Sequence, residues 1–157
     1  MIFLLITAGA LGQVKKFETQ MSIILDSTID RKTMESCSRA DPENITGFFQ
    51  LTRAHIMILQ DNFESIRSYK TKECCGEGAM VFDLRNYSFQ FVGVIKNSKR
   101  YIYINAFLTS SALQHIKHGF CIEEQLIDVC DGGAGYWGAL FDIQTKQFVF
   151  LAINSDG

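Results

Sequence analysis

Hydrophobic and polar positions along this chain change period near residue 79. Before that point the apolar residues recur at helical spacing. Within residues 15–34, Phe17, Met21, Ile24, Leu25 and Thr28 share one stripe, which predicts a first helix. Residues 36–40 are polar and read as a loop. Asp41-Pro42-Glu43 then supplies a capping oxygen, a proline suited to the first helical position and an acid at the positive helix end. A second helix is predicted from there to about Tyr69, with Phe48, Leu51, His55, Ile58, Leu59, Asn62, Phe63 and Ile66 on one broad stripe.

After residue 79 the period becomes two. Residues 80–84, 87–95 and 100–107 read as three strands, joined at Asn86 and at Asn97-Ser98 as an antiparallel meander. In the third, Tyr101, Tyr103 and Asn105 alternate with Ile102, Ile104 and Ala106. Residues 110–118 predict a short helix ended by Gly119, and residues 124–129 a short strand. Residues 136–143 and 147–153 predict a hairpin turning at Gln144-Thr145-Lys146. The fold class expected is α+β, with N-terminal helices packed on a curved antiparallel sheet of about six strands. That element order fits a cystatin-like or nuclear-transport-factor-like cone.

Composition narrows the picture. At 157 residues, 47% hydrophobic and 20% charged, the chain suits one domain with a substantial core. Its net charge is −2 and its basic clusters, Lys15-Lys16 and Lys99-Arg100, are short, which argues against a nucleic-acid partner. Residues 1–12, MIFLLITAGALG, form an apolar run followed by small residues. Ala8-Gly9-Ala10 and Ala10-Leu11-Gly12 both match the small-x-small pattern accepted by signal peptidases. No Lys or Arg precedes the run, a departure from the usual leader. The run is too short to span a bilayer, which takes about 20 helical residues. The expectation is a signal peptide at 1–12, a single domain at 13–157, and a periplasmic or secreted location without a membrane span. Asn44-Ile45-Thr46 and Asn86-Tyr87-Ser88 are glycosylation acceptor patterns, which also arise often by chance. The cysteines, Cys37, Cys74, Cys75, Cys121 and Cys130, would form up to two disulfides after export, with connectivity open; Cys121 and Cys130 are placed to close a turn.

Three places invite chemistry. His115 and His118 share a helix face, with Cys121 just past its end and Cys130 as a fourth donor. These are zinc-ligand types, but their spacing matches no common module. The plainer reading is a helix end whose His and Lys complement the dipole. The second place is residues 130–138, CDGGAGYWG. Dense glycines free the backbone to approach a ligand, and Tyr136 and Trp137 offer stacking surfaces. A wide turn with Trp137 in the core is the plainer reading. Asp128, Asp131 and Asp142 lack the spaced acidic repeat of a calcium loop. The third place is a Cys75–His55 nucleophile–base pair, against which His55 reads as a satisfied core histidine. No Gly-x-Ser-x-Gly, Walker, His-Glu-x-x-His or Cys-x-x-Cys motif occurs.

Residues 130–154, CDGGAGYWGALFDIQTKQFVFLAIN, with RYIYINAF at 100–107, resemble small exported bacterial proteins of uncharacterised function, and the leader ending in Gly12-Gln13 looks like those of Bacteroidota. The resemblance covers about a third of the chain. It implies an extracytoplasmic domain and carries over no catalytic residues. The function expected is an exported, non-enzymatic domain that binds a small molecule or protein. Its surface would be Asp131, Gly132, Gly133, Tyr136 and Trp137, with Tyr101 and Tyr103, and no cofactor is implied. The rivals are a metal- or cysteine-dependent hydrolase and a structural, disulfide-stabilised envelope protein.

Overall fold

The computed structural model describes residues 21–29, 31–71, 79, 81 and 83–156. The expected leader and Cys74 and Cys75 lie outside them. The fold is α+β; among the described residues there are six strands in one open sheet and two α-helices. The strands are β1 (Ser22–Ile24), β2 (Ile45–Phe48), β3 (Tyr87–Lys96), β4 (Lys99–Leu108), β5 (Tyr136–Asp142) and β6 (Gln147–Ile153). The helices are α1 (Arg53–Asn62) and α2 (Thr109–Lys117).

The centre is the β3–β4 hairpin, ten residues on each side. Asn97 and Ser98 both take positive φ, 49° and 62°, as a two-residue turn matching the strand twist requires. β5 pairs with β4 and β6 with β5, all antiparallel. The other edge of β3 is shared: β1 runs parallel to Phe89–Phe91, and β2 runs antiparallel beside Val94–Lys96. The sheet is therefore mixed, not purely antiparallel.

Both faces are covered. On face A, Phe89, Phe91, Ile102, Ile104, Trp137, Phe141 and Leu151 pack beneath α1 and the 3-10 helix Phe63–Ser68. On face B, Val92, Val94, Tyr103, Leu140 and Ala152 meet Leu25, Met34, Ile45 and Leu126 from irregular segments. α2 and Ile122, Ile127 and Tyr136 close one end of that face. Burial on both faces explains why β3, β4 and β5 carry apolar side chains at nearly every position.

Several expectations are corrected. The helix at 15–34 is, within the described residues, the strand β1 and a 3-10 turn at Arg31–Met34. Ile23 packs toward face B and Ile24 toward face A, so strand alternation wins over the helical stripe. The helix at 41–69 starts only at Arg53, because Ile45–Phe48 is taken by the edge of β3. Gly93 makes that crossing possible: a Cβ there would stand 2.2 Å from the Phe49 carbonyl oxygen. Thr52 caps α1 instead of Asp41, accepting from the His55 N–H, while His55 Nδ1 accepts from the Thr52 N–H at 3.1 Å. The strand at 124–129 is irregular chain lying over face B. The strand at 80–84 falls partly outside the described residues, and Leu84–Asn86 is one 3-10 turn. The helices thus do not all precede the sheet.

Candidate functional site

Face B carries two directly opposed amide side chains, Gln90 and Asn105, among largely apolar strands. Gln90 on β3 pairs across to Asn105 on β4, which pairs to Gly138 on β5 and then Ala152 on β6. Gln90 and Asn105 are fully buried, so each needs partners. Gln90 Nε2 donates to the carbonyls of Ile122 and Gln125, both at 2.7 Å, and its Oε1 accepts from the Ile127 N–H at 2.9 Å. Asn105 Nδ2 donates to Gln90 Oε1 at 2.9 Å and to the Ile127 carbonyl at 2.8 Å. Asn154, just beyond β6, donates to the carbonyls of Val129 and Asp131. Side chains therefore satisfy the carbonyls of Ile122, Gln125, Ile127, Val129 and Asp131 and the Ile127 N–H, which anchors this segment over the sheet without a strand partner.

Arg39 completes the cluster. Only 8% exposed, it donates from Nη1 to Asn154 Oδ1 at 2.9 Å and from Nη2 to Tyr103 Oη at 3.1 Å and Asn105 Oδ1 at 2.6 Å. Its Nε is buried without a partner. It forms none of the ion pairs among the described residues; Asp41 feels its charge only at longer range. Gly138 makes room for it, since a Cβ there would lie 3.0 Å from Arg39 Nε and 2.8 Å from Tyr103 Oη.

The segment carrying Arg39 is tied down by a Cys37–Cys130 disulfide, Cα atoms 5.0 Å apart. Asp128 accepts from Ser36 Oγ at 2.9 Å and from the Cys37 N–H at 3.2 Å. The expected closure of a turn by Cys121 and Cys130 is thereby corrected. Cys121 is a free, exposed thiol 3.5 Å from Glu123 Oε2. Desolvation, then Glu123, raise its pKa and so disfavour the thiolate.

The expected metal group does not assemble. His115 packs against Phe120, and the His118 N–H closes the end of α2 on the Gln114 and His115 carbonyls. Among the described residues no three His, Cys, Asp or Glu side chains gather to hold a metal ion. His55 belongs to the α1 cap, and burial, then Arg100, lower its pKa. Asp142 receives the N–H groups of Gln144 and Thr145 in the β5–β6 turn.

The expected aromatic surface is interior. Trp137 and Tyr103 are fully buried, and Tyr101 and Tyr136 nearly so. Trp137 and Tyr136 lie on opposite faces of β5, and both faces are covered. Asp131 and Gly132 remain exposed. The glycines do serve the backbone: Gly132 and Gly133 take φ of 95° and 49° to start a 3-10 turn, Gly133–Gly135.

That turn walls a cleft of about 230 Å³ at the end of face A, lined by Val81, Asp83, Asn86, Tyr87, Leu108, Ala134 and Ile153. The Tyr87 hydroxyl donates to the Ala134 carbonyl across it. Burial raises the Tyr87 pKa. Its ring meets Trp137 edge-on at 5.7 Å. The Trp137 N–H is buried without an acceptor at hydrogen-bond geometry; the Tyr87 hydroxyl comes near enough to feel it but not to bond. Across the Leu84–Asn86 turn is a second, charged cleft of about 240 Å³, lined by Glu64, Arg67, Asp83, Leu84 and Arg85. Hydrogen bonds from Arg85 lower the Asp83 pKa to about 2, but the pair is exposed and screened by water.

Comparison with models of known protein families, with curated proteins and with solved structures returns no match for this chain. Among the described residues no helix is long and apolar enough to cross a membrane.

Proposed function

We propose that this chain is an exported domain that works by binding rather than by catalysis, and that its ligand is a small, largely apolar group held beside the Gly133–Gly135 turn. The observation that carries this reading is the cleft itself. Tyr87, Leu108, Ala134 and Ile153 offer apolar walls, and Asp83 and Asn86 stand as a polar fringe. Such a balance suits recognition of a small molecule or of a side chain from a protein partner. The Cys37–Cys130 disulfide supports the compartment, because such bonds persist in oxidising surroundings. The resemblance to exported bacterial proteins points the same way.

Anilinonaphthalene sulfonate, an apolar fluorescent anion, tests the cleft. Tyr87 connects the cleft to the single tryptophan, so one saturable binding event should lower Trp137 emission as dye fluorescence rises. Ala134→Phe, which fills the mouth from an exposed position, should weaken binding at least about tenfold. Equal dye affinity in both proteins would remove the cleft from consideration.

A further inference from the structure

The Arg39 seat is built by groups that do not need Arg39. Asn105 is fixed by Gln90 and the Ile127 carbonyl, and Asn154 by the carbonyls of Val129 and Asp131. Tyr103 and Gly138 are held in the sheet. Together they present three neutral oxygens, Asn105 Oδ1, Tyr103 Oη and Asn154 Oδ1, to one planar cation. The segment supplying that cation lies outside the strands and helices. Residues 37–40 have no regular structure; Ser38 Oγ meets Ser155 Oγ at 2.8 Å, the Ser38 carbonyl accepts from the Ser155 N–H, and Ala40 packs against the face-B core. The guanidinium is desolvated without a counter-ion, an arrangement that is costly to keep. The strongest tie is the disulfide, and both Cys37 and Cys130 are exposed to a reductant.

We infer that residues 36–41 form a redox-latched strap: with Cys37–Cys130 closed, Arg39 fills the pit, and with it open, the strap leaves and the pit accepts a guanidinium from another molecule. Opening takes a dithiol reductant. One thiolate attacks a sulfur of the bridge, the S–S bond breaks and a mixed disulfide forms; the second thiol displaces it. Two electrons and two protons pass to the cysteines, and the reductant ends as its own disulfide. The inference stands on face B and does not depend on the cleft.

Hydrogen exchange on the full chain, oxidised and then dithiothreitol-reduced, tests it, with Cys37→Ser/Cys130→Ser as a variant that isolates this bridge from the other cysteines. The Cys37 N–H, bonded to Asp128, and the Ser155 N–H, bonded to the Ser38 carbonyl, should exchange about a hundredfold faster once the bridge opens, while β3, β4 and β5 keep their protection. Ethylguanidinium should bind the reduced protein and the double variant at least about tenfold more tightly than the oxidised protein. Unchanged exchange at Cys37 and Ser155 would overturn the latch. So would general loss of protection, which would make the bridge a staple of the whole fold. Strap release without tighter ethylguanidinium binding would overturn the pit's role as a site.

Discussion

Replacing Asn105 with alanine should be among the most damaging single changes in this domain. The side chain is buried and makes three hydrogen bonds, to Gln90, to the Ile127 carbonyl and to Arg39. A neutral bond contributes about 1 kcal/mol net and a charge-assisted one about 1.5–3 kcal/mol, so the loss comes to about 3.5–5 kcal/mol. Domains of this size are stable by about 5–15 kcal/mol, so the variant should stand near its folding threshold. Urea unfolding followed by Trp137 fluorescence should show a lower midpoint with an unchanged slope. Asn105→Leu restores bulk without donors or acceptors, and it should recover only a minor share. A loss below about 1 kcal/mol in the alanine variant, or wild-type stability in the leucine variant, would refute the claim that polar bonding organises face B.

Two further outcomes follow from the same geometry. Gly138→Ala should cost about 1–3 kcal/mol in thermal unfolding, since its methyl group would press on Tyr103 Oη and Arg39 Nε; an unchanged midpoint would mean the guanidinium does not lie there. His55 should make stability fall with acidity. Its folded pKa lies below its ordinary 6.5, so the folded chain prefers the neutral ring, whose Nδ1 accepts the Thr52 N–H. That contribution is complete above 6.5 and disappears as pH falls through the folded value. Urea midpoints between about pH 7 and pH 5 should decline in the wild type and flatten in His55→Gln.

The central and C-terminal hairpins were legible because alternation and turn residues agree. Asn97-Ser98 marks one reversal, and residues 136–143 and 147–153 bracket the other. The N-terminal third was not, because Ile23, Ile24 and Leu25 fit both helical and strand spacing, and the free edge of β3 decided between them. Residues 45–48 follow a cap-like Asp41-Pro42 that predicts a helix, yet the edge of β3 takes them as a strand and Asp41 accepts from the Ser36 N–H in a loop. Leu126, Ile127 and Val129 imitate a strand, but side chains from Gln90, Asn105 and Asn154 hold the backbone of Ile127 and Val129.

The site was less legible than the fold. Trp137 and the tyrosines fit an exposed aromatic face as well as a buried one, because local sequence does not reveal that both faces of the sheet are covered. The available signal was the pair of amides in apolar strands, Gln90 in SFQFVG and Asn105 in YINAF, directly opposite each other once the hairpin register is drawn. Arg39 sits in a polar stretch, and nothing beside it in the chain marks it as buried. The Cys37–Cys130 pairing links residues 93 apart and depends on how two irregular segments meet over face B.

The most direct test of this account is peptide mapping by mass of the natively produced protein, alkylated before any reductant is added. A linked peptide joining Cys37 to Cys130, with Cys121 alkylated, is the result expected. Free alkylation of Cys37 and Cys130, or either one joined to a different cysteine, would contradict it, leaving the strap without its latch and the extracytoplasmic reading without its main support.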